Sequence, residues 1–469
     1  MKKIFLFVIC AGLFTNISGF AQGFQGLWNG TLNVGGTKLR LVIHIEEKDG
    51  TYTATMDSPD QGVKGIPVTS VSFENSVLKF AVVNAGIEYE GELGTDSLIS
   101  GTLKQMGLSL PLNLSKKEME EVKLVRPQEP TKPYPYYEEE VSFESMEAGI
   151  RLAGTLTLPQ KEGNFPAVVL ISGSGAQNRD EELMEHKPFL VIADYLTRNG
   201  IAVLRFDDRG TASSSGDFRT ATTHDFSNDV EGGVKYLLQR NEINRQQIGL
   251  IGHSEGGIIA PMVAARSKDV AFIVLLAGMG IPSDQLLWMQ QDLIAEASNI
   301  SEADRKQAKS INKGMYDILK EIADTAQLKA AFTDYLNKLL QDIPDTEKSK
   351  GIYTNDQFIQ ASVNRMTSPW MLYFIRYNPA PVLEKVTCPV LAINGEKDLQ
   401  VPAKPNLEAI ETALLKGGNK QVTTKEIPGL NHLFQECKTG LPAEYAAIEQ
   451  TFSPVVLDEI LRWIKKQLK

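Results

Sequence analysis

Cysteine is nearly absent from this chain of 469 residues, which has only Cys10, Cys388 and Cys437. Cys10 falls in a segment that reads as a leader, and the two that remain cannot make a disulfide scaffold. Pairing Cys388 with Cys437 would need a fold that brings them together, whereas Cys388 opens a strand whose far end is expected to hold functional residues. Histidine is scarce too: His44, His186, His224, His253 and His432 are scattered, so no metal site and no cofactor are expected. Beyond the first residues there is no long apolar run, so no later segment is expected to span a membrane. Positive charge is in deficit. The formal net charge is −10, or −12 without Lys2 and Lys3, which argues against nucleic acid or an anionic membrane surface as partner. Internal repeats and low-complexity tracts are lacking, and no feature specifies an oligomeric state.

What is present begins with Met1-Lys2-Lys3, an apolar stretch from Ile4 to Leu13, and Gly19-Phe20-Ala21. A basic start, a short apolar segment and small residues before a cut site describe a secretory signal peptide over residues 1–21, cleaved after Ala21. A membrane anchor would need about 20 apolar residues, and Thr15, Asn16 and Ser18 interrupt too soon. Phe7-Val8-Ile9 lacks the small residues expected before a lipid-modified cysteine. The expected location is periplasmic or extracellular.

Residues 22–115 read as a small all-β domain. Lys38–Ile45 and Ile87–Leu93 alternate polar with apolar side chains, and breakers such as Gly35-Gly36, Asp49-Gly50 and Ser58-Pro59 mark off about eight short strands. A meander of that kind closes into a barrel or a sandwich. Trp28, Tyr52 and Tyr89 are expected in its core, and His44 is expected to be structural. Residues 116–137, with Pro127, Pro130, Pro133 and Pro135, read as a stiff linker.

From residue 138 to 469 strands alternate with helices. Two antiparallel strands near residues 140–144 and 151–158 precede the apolar strands Ala167–Ile171, Ala202–Phe206, Ile248–Gly252, Phe272–Leu276 and Pro389–Ile393 and the more polar strand Val422–Ile427. This pattern predicts an α/β domain whose mostly parallel sheet carries helices on both faces. Over residues 281–386 the alternation stops and the pattern turns helical and amphipathic, which predicts a cap inserted over the strand ends.

Gly252-His253-Ser254-Glu255-Gly256-Gly257 contains G-x-S-x-G, a motif that is weak alone. Here it follows the apolar strand Ile248–Ile251 and runs into the apolar helix from Ile258 to Ala265, the setting of a nucleophile elbow at Ser254. A serine hydroxyl needs a base, and on such an elbow the chain order is serine, acid, histidine. His432 is the one histidine after Ser254. The acid is sought on the preceding loop, where Asp398 is favoured over Glu396; it would fix the His432 tautomer and stabilise the imidazolium. Two backbone N–H groups are needed for an oxyanion hole. Glu255 is expected to supply one, and Ser174, with Gly175 as the alternative, the other from Ser172-Gly173-Ser174-Gly175.

These motifs, with Asp207-Asp208-Arg209-Gly210 and Gly175-Ala176-Gln177-Asn178-Arg179-Asp180, resemble the α/β-hydrolase superfamily, in its dienelactone-hydrolase and prolyl-oligopeptidase-like branch. The resemblance runs from about Glu138 to the C-terminus. With the β domain in front and the cap, the layout is similar to two-domain EstD-type bacterial carboxylesterases. It implies an α/β-hydrolase fold and hydrolysis of small-molecule carboxylic esters with short acyl groups. Many relatives begin the oxyanion loop with His-Gly, where this chain has Ser172-Gly173. Asp208 and Arg209 are expected to form a structural ion pair with each other, and Ser213, Ser214 and Ser215 are not expected to be nucleophiles. The same catalytic set also cleaves amides, so a serine exopeptidase is the second reading. It would need an anionic anchor for a substrate ammonium, for which Asp180-Glu181-Glu182 are the candidates.

Overall fold

The computed structural model describes residues 24–34, 37–59, 63–94, 97–105, 108–117, 125–341 and 355–468. The leader expected over residues 1–21 lies outside them.

The first sheet has nine strands: β1 (Gly26–Val34), β2 (Thr37–Lys48), β3 (Thr51–Ser58), β4 (Val63–Pro67), β5 (Ser70–Glu74), β6 (Val77–Val82), β7 (Ile87–Leu93), β8 (Leu98–Gln105) and β9 (Leu108–Ser115). Their order is β4-β3-β2-β1-β9-β8-β7-β6-β5, with antiparallel neighbours throughout. The two ends of the sheet meet where Val68 N–H donates to Ala54 O and Thr69 N–H to Ala81 O, so the sheet curls around one core. Ile43, Ile45, Leu78, Phe80, Ile99 and Leu112 fill that core by strand alternation. Trp28 and Tyr89 are buried there, their polar ends spent on Phe24 O (2.7 Å) and Leu112 O (3.1 Å). His44 points outward instead, its Nε2 2.8 Å from Asp57 Oδ2.

The second sheet contains β10 (Tyr137–Glu144), β11 (Arg151–Leu158), β12 (Phe165–Ile171), β13 (Ala202–Phe206), β14 (Ile243–His253), β15 (Phe272–Leu276), β16 (Val390–Gly395) and β17 (Val422–Ile427). The order is β10-β11-β13-β12-β14-β15-β16-β17, antiparallel through β10, β11 and β13 and parallel from β13 onward. Strands β12, β13, β15 and β16 are apolar almost without alternation because helices cover both faces. On one face α1 (Pro188–Arg198) packs; on the other lie α2 (Thr223–Leu238) and α3 (Gly256–Ala264). A capping box opens α2, where Thr222 and Asp225 satisfy each other's backbone N–H.

Between β15 and β16 the chain leaves the sheet and forms α4 (Ser283–Ala297), α5 (Glu302–Glu321), α6 (Thr325–Gln341), α7 (Asn355–Met366), α8 (Pro369–Ile375) and α9 (Ala380–Leu383). These helices bury a small core of their own, including Tyr316, Leu319, Phe332 and Val363. The single turn Val83–Ala85 of the β domain lies against α7. The helices α10 (Ala403–Lys416) and α11 (Pro454–Gln467) complete the flanking layers. No helix among the described residues is long and apolar enough to cross a membrane.

The described end of the linker is strapped to the α/β domain. Arg126 donates to the carbonyls of Ile448 (2.8 Å), Ala446 (2.9 Å) and Met184 (2.9 Å), and Gln128 is bonded to the main chain of Thr451 and Phe452. Removing the guanidinium leaves three partly buried carbonyls without their charged donor. Arg126→Ala is expected to destabilise the chain by about 2 kcal/mol, read as a lower midpoint in thermal or denaturant unfolding.

Candidate active site

The parallel register assembles the site before any side chain is considered. Ile171 of β12 sits beside Gly252 of β14, His253 beside Leu276 of β15, and Gly395 of β16 beside Ile427 of β17. The loops that follow these strands therefore emerge along one edge of the sheet, bringing together residues 172–175, 254–255, 396–402 and 428–435.

Ser254 sits between β14 and α3 with φ of 53°, a left-handed conformation uncommon for a residue with a side chain. Two neighbouring glycines make the turn possible. A Cβ on Gly252 would lie 2.0 Å from Gly256 O, and one on Gly256 would lie 2.2 Å from Ile171 O. His253 and Glu255 are buried, whereas Ser254 keeps partial exposure. Its Cβ comes within 3.1 Å of the position a Cβ on Gly173 would take, so the loop after β12 runs alongside the serine.

Asp398 and His432 meet at 2.8 Å, Oδ2 to Nδ1, with both side chains buried. The other carboxylate oxygen accepts from the N–H groups of Gln400 and Val401, each at 2.8 Å. Asn394 holds this loop by donating to Val401 O. Across from it, Asn431 Oδ1 accepts from Leu433 N–H and Gln435 N–H, which shapes the turn carrying His432. Glu396 is exposed and accepts from Gly429 N–H, so the carboxylate that reaches the histidine is Asp398. Among the described residues, no protein acceptor takes the N–H of Glu255 or of Ser174. Gly175, the alternative donor, has φ of 104°.

Three side chains near the elbow make contacts that the sequence did not assign to them. Glu255, buried, accepts through Oε1 from Thr223 Oγ1–H (2.6 Å) and from Trp370 Nε1–H (2.9 Å), so the helical insertion touches the residue after the serine. Burial raises its carboxyl above the usual 4.5 despite these two donors. Glu181, also buried, accepts from Gly173 N–H (2.6 Å) and from His253 Nδ1 (2.9 Å). His253 Nε2 in turn lies 3.0 Å from His432 O. Its adjacency to the serine was the only hint the sequence offered.

The expected Asp208–Arg209 pair does not form. Arg209 turns to Asp229, with two contacts of 2.7 Å, and to Glu147, also at 2.7 Å. Asp208 is half-buried, bonds to no cation, and accepts from Ser172 Oγ–H and Gln177 N–H, each at 2.9 Å. Side chains of adjacent residues leaving a strand point to opposite sides, which separates the two. Burial lifts the Asp208 carboxyl well above its ordinary range. Ser214 and Ser215 are spent on main-chain groups of residues 151, 153 and 207. His186 is buried between Thr451 and Tyr445 O, and burial lowers its pKa to about 4. Cys388 and Cys437 are free thiols. No cluster able to hold a metal occurs among the described residues.

The insertion covers α3 with apolar side chains. Leu286, Phe374 and Trp370 pack on Ile258 and Met262, with the Trp370 and Phe374 rings stacked at 4.9 Å. Trp288 belongs to the insertion's own core, with Lys309 over its ring.

The family described as serine aminopeptidase, S33, matches residues 185–436. Esterase EstD of Thermotoga maritima is 27% identical over 340 residues, covering 71% of this chain and 70% of that protein. Two solved structures are also similar. The α/β-hydrolase GrgF of a Penicillium species is 17% identical with a TM-score of 0.43, covering 71% of this chain and 99% of that one. A Pyrococcus furiosus esterase, Pf2001, is 17% identical with a TM-score of 0.41, covering 74% and 97%.

The raised Glu255 carboxyl makes stability depend on pH. Below about 4.5 the group is neutral in both folded and unfolded chains and carries no penalty. As pH rises through 4.5 the unfolded chain ionises first, which favours unfolding. A glutamine keeps the acceptor for Thr223 and Trp370 without that cost. Glu255→Gln is therefore expected to match the wild type in thermal midpoint near pH 4 and to exceed it increasingly toward pH 8.

Proposed function

This chain belongs to the serine aminopeptidase S33 family of α/β-hydrolases, and from that premise we propose that it is a serine carboxylesterase acting on short-chain esters through a Ser254–His432–Asp398 triad. The observation that carries the reading is the buried Asp398–His432 hydrogen bond, on the same sheet edge as a left-handed serine elbow. The similarity to an esterase over more than two thirds of each chain supports the ester as substrate.

In this reading Ser254 Oγ attacks the ester carbonyl carbon while His432 Nε2 takes its proton. Asp398 holds Nδ1–H and stabilises the imidazolium that forms. The carbonyl oxygen becomes an oxyanion, which accepts from the N–H groups of Glu255 and Ser174. Collapse of the tetrahedral intermediate breaks the bond to the alcohol, which leaves with the proton held by His432. Water, deprotonated by His432, then attacks the acyl-enzyme by the same route and releases the acid and Ser254. No metal or cofactor takes part. The insertion acts as a cap, and the apolar set Leu286, Trp370 and Phe374 suits a neutral acyl or alcohol group. The basic and apolar pattern of residues 1–21 supports export of the enzyme to the periplasm or beyond.

The family description keeps exopeptidase activity as the second reading. Its anchor for a substrate ammonium finds no support: Asp180 is paired with Arg205, Glu181 with His253 and Gly173 N–H, and Glu182 with Asn178.

A fluorophosphonate probe is expected to label Ser254, and Ser254→Ala to abolish labelling. His432→Ala and Asp398→Asn should each lower kcat by about 10⁴-fold. With p-nitrophenyl acetate or butyrate, kcat/KM should far exceed that for any aminoacyl or dipeptidyl anilide. An anilide that rivals the short esters would establish the peptidase instead.

A further inference from the structure

We propose that Glu181 and His253 form a positioning pair that holds the oxyanion loop and the His432 main chain in register with Ser254. The proposal rests on the reading of Ser254 as nucleophile and His432 as base. One carboxylate oxygen, Glu181 Oε1, takes both the N–H of Gly173 and Nδ1 of His253. The opposite ring nitrogen of His253 reaches the carbonyl of His432 at 3.0 Å. Three segments far apart in the chain are joined through one imidazole: the loop after β12, the end of β14 and the turn after β17. Glu181 itself holds a left-handed backbone, φ 50°, which a residue with a side chain adopts when its surroundings demand it.

The hydrogen bonds assign the protons. A carbonyl oxygen only accepts, so His253 Nε2 carries a hydrogen toward His432 O. An ionised Glu181 only accepts, so while it keeps its charge Nδ1 donates to Oε1 alongside Gly173 N–H, and His253 is then an imidazolium paired with a carboxylate. The charged and titratable groups facing the ring are Glu181 on one side and, on the other, His432, whose ring centre is 4.9 Å away, with Asp398 beyond it; Phe434 supplies the apolar wall. Burial pulls the imidazolium down, and Glu181, the His432 carbonyl and Asp398 outweigh it, leaving the pKa raised above 6.5.

The pair therefore works only while His253 keeps both protons. Once the Nδ1 proton leaves at alkaline pH, Nε2–H still holds His432 O, but a lone pair then faces Glu181 Oε1. The tie to the oxyanion loop opens, and turnover should fall on the alkaline side. A glutamine at position 181 replaces this arrangement with a neutral one by turning its amide so that two atoms divide the contacts Oε1 makes alone: the oxygen accepts from Gly173 N–H, and the NH2 donates to Nδ1 of an uncharged His253.

The test compares kcat and KM for p-nitrophenyl acetate across pH in the wild type, Glu181→Ala and Glu181→Gln, with fluorophosphonate labelling of each. Glu181→Ala should lower kcat by about 10²-fold with little change in KM, the scale of a misplaced catalytic group. Glu181→Gln should recover most of that loss and lack the alkaline fall of the wild type. If Glu181→Ala does not fold, the Glu181→Gln profile decides alone. A purely structural role would lower thermal stability and leave both kcat and the pH profile in place, which overturns the proposal. So does an alkaline fall unchanged in Glu181→Gln, or one absent from the wild type. Failure of the probe to label Ser254 in the wild type sinks the nucleophile reading itself, whereas a labelled serine with unmoved profiles sinks only the pair.

Discussion

The backbone at Ser254 must turn from strand to helix within two residues, and the remainder of the site is arranged around that constraint. The turn closes because Gly252 and Gly256 present no side chain where Gly256 O and Ile171 O already stand. The same closeness brings the end of β12 beneath the first turn of α3, so the loop leaving β12 has to pass beside Ser254. A left-handed serine is a strained element, and it persists because two parallel strand pairings hold it on both sides.

Around this turn, buried and half-buried carboxyl groups meet their desolvation cost in different ways. Asp398 is matched by three donors, two of them from its own loop, and is committed to one histidine. Glu181 is matched by a second imidazole. Glu255 and Asp208 receive only neutral donors and are pushed toward the protonated form by burial. The upward shift of both lessens the negative charge held around this turn.

The elements that enclose the site come from outside the sheet. Trp370 of the insertion bonds to Glu255, Phe374 and Leu286 pack on α3, and the β domain reaches α7 through its turn at Val83–Ala85. The strap of Arg126 fixes the linker to the segments around Met184 and Ala446. Movement of the insertion would therefore be felt at the residue whose N–H is proposed to face the oxyanion.

The order of strands and helices in residues 138–469 was legible because a sheet covered on both faces needs unbroken apolar runs, such as Ala167–Ile171 and Phe272–Leu276. The elbow was legible because strand, G-x-S-x-G and apolar helix follow one another without a gap. His432 could be reached by elimination, since it alone follows Ser254. Partnership, by contrast, depends on which loops the fold sets side by side. Asp398 and Glu396 are two residues apart, and only the path of the 396–402 loop, held by Asn394 and by its own N–H groups, turns one to the histidine and the other to Gly429. Arg209 lies next to Asp208 in sequence and yet pairs with Asp229, because neighbouring side chains diverge while α2 is packed alongside. Glu181 and His253, 72 residues apart, carry no local pattern that links them. The sequence by itself determined the layers and the kinds of group at the sheet edge, because these follow from local periodicity and turn chemistry. Which oxygen meets which nitrogen was decided by tertiary structure alone, because a hydrogen bond is settled within a few tenths of an ångström by the packing of segments distant in the chain.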